Sequence, residues 1–277
     1  MTELTTDRAA EIRRAVDAVP SWYHVMDLGH GIRTPGWFDL SSVVDRLPWP
    51  DVRGKRCLDI GTYDGYLAFE LERRGASEVV ATDIVDHASW DWPPKVRAAK
   101  GPEGLAKLVG PEKGLGFPVA REAYRSKVER RMVNIYDLSP TTVGRFDVVL
   151  CGSLLLHLRD PFRALEAVRS VCAGVFLSME TVDLWLTMVA RRRPVARIYG
   201  DELCLWTIPN VSGHRRMLEV AGFDVLETMG PYTIPYGPVH PKPPRSLRGR
   251  ATFGLQRFMT RNDPGVPHAA VLARPAL

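Results

Sequence analysis

The chain has 277 residues, 45% of them hydrophobic and 25% charged, with a formal net charge of +5 at pH 7. That length can bury a sizeable core, and the ordinary apolar and charged fractions exclude disordered and fibrous classes. The positive balance is compatible with a polyanionic partner without requiring one.

Residues 1–19 form an amphipathic, charged helical segment with Arg8, Glu11, Arg13 and Arg14. No apolar run follows before Pro20, unlike a secretory leader, and no uncharged apolar stretch approaches a bilayer span, so a soluble cytoplasmic protein is expected. Cys57, Cys151, Cys172 and Cys204 stand apart without Cys-x-x-Cys spacing and read as small core residues in a reducing compartment. Residues 20–37 are dense in aromatics, glycine and imidazole; this segment reads as a flap on a ligand or as a cap over the sheet.

The most specific motif follows. An apolar run ends in Asp59-Ile60-Gly61-Thr62-Tyr63-Asp64-Gly65, a helix length passes, and a second apolar run ends in Asp83. This is β-loop-α-β with a nucleoside site: Gly61 and Gly65 allow a sharp turn and close backbone approach, and Asp83 can accept hydrogen bonds from ribose hydroxyls. A dinucleotide site would need a glycine where Tyr63 stands, and Asp64 would set a negative charge beside the pyrophosphate. A cationic, phosphate-free cofactor such as S-adenosylmethionine fits better.

Residues 85–118 hold Trp90, Trp92, Pro93, Pro94 and several glycines, too broken for one long helix, and read as an insertion or lid. Further along, the pattern predicts a helix over 119–131, strands over 132–135 and 146–151, a helix over 161–171 and a strand over 175–179. A basic helical piece over 184–193 precedes a segment at 198–210, a helix over 211–221 closed by Gly222, and strands over 223–226 and 269–273. The last two are separated by a Pro- and Gly-rich loop over 231–250. This alternation predicts an α/β fold with a doubly wound, mainly parallel seven-stranded sheet, ligands lying at the strands' carboxyl ends. Residues 1–50 would form the N-terminal helix and flap, and residues 51–277 the main domain.

Leu58-Asp59-Ile60-Gly61 with Asp83, Phe146-Asp147-Val148-Val149, and Gly222-Phe223 resemble the class I S-adenosylmethionine-dependent methyltransferases from about Val52 onward. Residues 22–36, Leu156-His157-Leu158-Arg159-Asp160-Pro161 and Trp206-Thr207-Ile208-Pro209-Asn210 resemble the branch containing tRNA wobble-uridine methyl and carboxymethyl transferases and bacterial small-molecule O-methyltransferases. The resemblance implies that Asp59, Gly61 and Gly65 line the methionine part of the cofactor, Asp83 the ribose, Asn134 and Ile135 the adenine edge, and Ser153 the sulfonium. Tyr23 and Arg33 would reach the cofactor carboxylate. Leu156 stands where the carboxymethyl members have a tyrosine, and Leu158 where a basic residue is common, which argues for ordinary methyl transfer and against a tRNA anticodon.

An alcohol acceptor needs a base, and His157, after the fourth strand, is the first choice. Glu180 ends the fifth strand at the same edge and could orient His157, bind hydroxyls or act itself. Tyr199, Asn210 and Asp183 are candidate substrate contacts, and His240 on the late loop is a second candidate base. Asp86, His87, Asp91 and Asp160 offer metal-ligand atoms without a metal signature, so no metal site is assigned although a divalent ion is compatible. The expected activity is O-methylation of a small hydroxylated acceptor, best a sugar or short oligosaccharide stacked on Trp37, Trp90 and Trp92. The alternatives are a tRNA methyltransferase using Arg191–Arg193 with Arg245, Arg248 and Arg250, and a cofactor-binding module without catalysis; oligomeric state is not legible.

Overall fold

The computed structural model describes residues 2–109, 112–201, 204–241, 247–260 and 265–277. Helix α1 (Thr2–Ala18) buries Ile12 and Val16, and the Val16 carbonyl accepts the indole N–H of Trp22 at 3.1 Å. The flap is a parallel pair, β1 (Trp22–His24) and β2 (Gly36–Phe38). Their contact requires a glycine, because a Cβ on Gly36 would lie 2.0 Å from the His24 carbonyl carbon.

The central unit begins with β3 (Arg56–Ile60), α2 (Tyr66–Arg73) and β4 (Glu78–Asp83). In the insertion a short turn at His87–Ser89 leads to α3 (Pro94–Val109). This helix is broken at Gly101 (φ 62, ψ 175), before Pro102, which lacks an N–H and disfavours helical geometry in its predecessor. Helix α4 (Gly116–Tyr124) ends on Arg125 in the left-handed region, six residues before the expected end, and β5 (Glu129–Met132) starts earlier than the pattern predicted. Pairing with β4 sets this register, and Asn134 is left to cap the turn at Ile135–Asp137.

The second half comprises β6 (Phe146–Gly152), α5 (Pro161–Val171) with Asp160 as its cap, β7 (Cys172–Thr181), and α6 (Leu184–Val189). The antiparallel pair β8 (Ala196–Ile198) and β9 (Thr207–Pro209) follows, then α7 (Val211–Val220), β10 (Phe223–Pro235), α8 (Leu247–Thr260) and β11 (Gly265–Pro275). The loop expected over 231–250 is thereby corrected at both ends. Pairing of Tyr232 with His268 and Ile234 with Val266 carries β10 through Pro231 and Pro235, which an edge strand tolerates at a register shift.

Among the described residues the main sheet has seven strands in the order β10-β11-β7-β6-β3-β4-β5, with β11 antiparallel to both neighbours and the rest parallel. Alternate residues serve opposite faces. Cys57, Leu150 and Leu177 pack with Trp22, Leu71, Phe117 and Tyr232, whereas Leu58, Val149 and Phe176 pack with Phe146, Leu165, Leu218 and Phe223. Burial on both faces explains the near-continuous apolar runs. Trp92, Val96 and Leu105 of the insertion form a small separate core with Cys204. All four cysteines are buried and free.

Candidate active site

A cavity of about 580 Å3 opens at the carboxyl ends of β3, β4, β6 and β7, closed over by the flap, the insertion and the 204–208 segment. Gly61 (φ 75), Tyr63 (φ 52) and Gly65 (φ 97) turn the chain sharply after β3. Asp83, 4% exposed, accepts the Tyr63 N–H on Oδ2 at 2.7 Å and the Ile84 N–H on Oδ1 at 2.8 Å, and pairs with Lys113 at 2.7 Å. Gly61 lines the cavity; Gly65 does not, and serves instead as the left-handed residue that starts α2, where a Cβ would strike Phe69 at 2.5 Å.

Asp64 turns away from the ligand side. It is 1% exposed and accepts the backbone N–H groups of Tyr23 at 2.8 Å and His24 at 2.9 Å, together with the His24 ring Nδ1. One acid in the glycine loop thus ties down the flap, a role its sequence position gives no sign of. Tyr23 lines the cavity and stacks on Tyr63, ring centroids 4.6 Å apart. Arg33 does not reach it: the guanidinium is 55% exposed and bound to Asp39 at 3.0 Å, a correction to its expected cofactor role.

Asp59 and Thr62 also line the cavity, and among the described residues their Oδ2 and Oγ1 atoms are buried without a hydrogen-bond partner. Burial pushes the Asp59 carboxyl up to about 6. A buried carboxylate oxygen without a partner needs a donor. The ammonium group of S-adenosylmethionine supplies one, so the residues present fit this cofactor: Asp59 and Thr62 would hold its amino-acid end, and Asp83, Asn134 and Ile135 its nucleoside. Asn134 and Ile135 both line the cavity.

On the far side, His157 lines the cavity and its Nδ1 lies 2.6 Å from the Cys204 carbonyl. A carbonyl only accepts, so Nδ1 carries the proton and Nε2 keeps its lone pair. Burial lowers the pKa of this ring. Glu180 is placed differently from expectation. It is 2% exposed, does not line the cavity, and accepts the N–H groups of Leu154 and Leu155, each at 3.1 Å, and the Cys151 thiol at 3.7 Å. Burial pushes its carboxyl up to about 8, and its work is to hold the loop after β6.

Two expected substrate contacts and the second candidate base lie elsewhere. Asn210 is fully buried, accepts the Gly213 N–H at 2.7 Å and donates to the Ala190 and Arg193 carbonyls, so it caps α7 and has no atom for a ligand. Tyr199 sits at the end of the β8–β9 pair, and His240 stacks on Tyr236 with centroids 4.1 Å apart; neither lines the cavity. Trp37 and Trp90 do line it, but Trp92 is buried in the insertion's core.

The sequence reading missed His268. Its Nδ1 is 2.9 Å from the Val266 carbonyl, so Nε2 accepts, and Ser153 Oγ is 2.7 Å and Thr181 Oγ1 3.3 Å from that nitrogen. Burial pushes its pKa down to about 4, which keeps the ring neutral near pH 7. Ser153, itself left-handed at φ 53, lines the cavity with its proton committed to His268. No local motif marks this histidine; strand pairing of β11 with β7 brings it in.

Among the described residues no group of three or more His, Cys, Asp or Glu side chains is placed to hold a metal. Asp86 caps the 87–89 turn, Asp91 accepts from Tyr136 and Arg159, and Asp160 caps α5.

A mainly parallel sheet with an acid at the tip of β4 and orphaned acceptors beside it at β3 defines the Rossmann-like nucleoside-cofactor class. A methyltransferase-domain family profile matches residues 38–228. Among curated relatives, the ubiquinone biosynthesis O-methyltransferase of Hahella chejuensis is 26% identical over 211 residues, 76% of this chain and 74% of that protein. The Marinobacter nauticus protein of the same name is 31% identical over 132 residues, covering 46% of this chain and 44% of that one. The chain thus spans less than half the length of several such relatives. In fold it is similar to the cyclase SpnF (TM-score 0.53, 17% identity, 99% of this chain and 95% of that one) and to the N-terminal domain of EvdMO1, solved with S-adenosylhomocysteine and D-fucose (TM-score 0.52, 18% identity, 98% and 97%). The chain belongs to this methyltransferase family and is an S-adenosylmethionine-dependent methyltransferase.

Proposed function

We propose that the protein transfers a methyl group to a hydroxyl of a small acceptor that carries an apolar ring. The observation that carries this reading is His157: its Nδ1–H is fixed on the Cys204 carbonyl and its Nε2 lone pair is available at the cavity wall. When bound, S-adenosylmethionine supplies an electrophilic methyl group for in-line displacement. The chain's own part is to align the acceptor oxygen and take its proton on His157 Nε2, leaving an imidazolium whose Nδ1–H remains on Cys204.

The acceptor's apolar body is argued from the cavity lining, which includes Phe38, Leu40, Leu47, Leu156, Ile208 and Ile234. The O-methyltransferase names of the curated relatives agree with a hydroxyl as acceptor. A sugar is the second reading, supported by the Trp37 and Trp90 faces on the cavity, though Asn210 and Glu180 are not available to its hydroxyls. Support for a tRNA acceptor is reduced to the exposed Arg191–Arg193; Arg245 lies outside the described residues, as do the side chains of Arg248 and Arg250.

The test is methyl transfer from labelled S-adenosylmethionine to three pools: phenolic and alicyclic alcohols, mono- and oligosaccharides, and bulk tRNA. Label in the first supports the proposal, label only in saccharides replaces it with the second reading, and label only in tRNA overturns both.

A further inference from the structure

Lys113 is the single lysine or arginine among the described residues that line the cavity. It comes from the insertion, between α3 and α4, and its side chain is only 11% exposed. Tyr63 and Trp90 flank the ammonium, which is 5.3 and 5.8 Å from their ring centres. Among the described residues its hydrogen-bond partner is Asp83, at 2.7 Å. An ammonium has three N–H donors, and a nearly buried one with a single acceptor is short of oxygen partners. Asp83 is short in the opposite sense. A carboxylate offers about four lone-pair sites; the Tyr63 N–H, the Ile84 N–H and Lys113 take three, which leaves one, on Oδ2. A ribose diol carries two hydroxyls, and the acid alone has room for one of them.

We propose that Lys113 is a ribose-binding residue of the cofactor site: Asp83 accepts from one ribose hydroxyl through its remaining lone pair, and Lys113 donates to the oxygen of the other. The insertion then forms part of the cofactor site itself. This rests on the S-adenosylmethionine family assignment and not on the identity of the acceptor.

The experiment is calorimetric titration of S-adenosylhomocysteine and its 2′-deoxy and 3′-deoxy analogues into wild type, Lys113→Met and Lys113→Gln, with thermal melts of each protein alone. Wild type is expected to lose affinity for both analogues. Lys113→Met should bind S-adenosylhomocysteine about tenfold or more weakly, as expected for a hydrogen bond to a charged group, and should lose further affinity for only one of the two analogues. Lys113→Gln, which keeps a donor, should fall between and serves if the methionine variant does not fold. Lys113→Met binding as tightly as wild type, or more tightly, overturns the proposal, because the lysine would then only neutralise or cover Asp83. Undiminished sensitivity to both analogues also overturns it. Absence of any S-adenosylhomocysteine binding by wild type would instead remove the cofactor assignment on which it rests.

Discussion

At the scale of single residues, the site separates groups that face the ligand from groups that hold them. His157, the proposed base, is of the first kind. Replacement by alanine is expected to lower turnover by about 10²- to 10⁴-fold with S-adenosylmethionine affinity unchanged, measured by steady-state kinetics beside calorimetry. The base must be deprotonated, so kcat/KM should rise with pH through a midpoint below the ordinary imidazole value of 6.5, because burial lowers it; the alanine variant should lack that limb. Glu180 is of the second kind. Its carboxyl is raised to about 8 in the folded protein from an ordinary 4.5. A raised folded value favours the native state fully below the unfolded pKa and loses that contribution as pH climbs through the folded one. Melting temperature should therefore fall between about pH 5 and 8, and fall less in Glu180→Gln; equal slopes in the two proteins would contradict this.

At the scale of elements, two segments outside the central sheet close the cavity, and each hangs on a few buried polar contacts. The flap hangs on Asp64, which satisfies two backbone donors and the His24 ring. Asp64→Ala leaves those donors buried and unpaired, at about 2–4 kcal/mol of stability; hydrogen exchange should show early opening at Tyr23 and His24, and S-adenosylmethionine affinity should drop with it. The insertion hangs on Tyr136, whose hydroxyl donates to Asp91 at 2.5 Å and accepts the Asp160 N–H at 3.1 Å, and on Trp206, whose indole N–H reaches the Asp91 carbonyl at 2.6 Å. Tyr136→Phe is expected to expose residues 85–118 to limited proteolysis while the central sheet keeps its protection. Cleavage at the wild-type rate would show that the insertion is held by the small core that Trp92, Val96 and Leu105 form with Cys204 instead.

At the scale of the whole molecule, the sheet order places β3 between β4 and β6, so the cavity bridges two halves of one sheet edge. One half carries Asp83 and Asn134; the other carries Ser153, His157 and His268. The cavity thus lies at the seam where the chain reverses its direction of winding. Asp59, Asp83 and Asp91 face one lysine in the lining, a balance suited to a cationic cofactor. Activity on a small acceptor should accordingly vary little between 50 and 300 mM salt, whereas a polyanionic substrate would bring a steep loss of binding with rising salt.

The sequence by itself determined the central parallel strands, the glycine loop and the acid at Asp83, because apolar periodicity and glycine spacing are local and the β-loop-α-β unit is built from neighbours in the chain. The position of His157 at the cavity was legible for the same reason, as it stands in the turn that follows the buried strand β6. The rest of the site was decided by pairing over long separations. Nothing near His268 or Lys113 in the chain announces that β11 lies against β7, or that the insertion folds its lysine onto Asp83. Asn210, Glu180 and Arg33 are polar residues in plausible positions, and only their hydrogen bonds show that a helix cap, a loop and a neighbouring carboxylate already claim them. A side chain's chemistry is fixed by its type, but its availability is fixed by what the tertiary fold leaves unpaired.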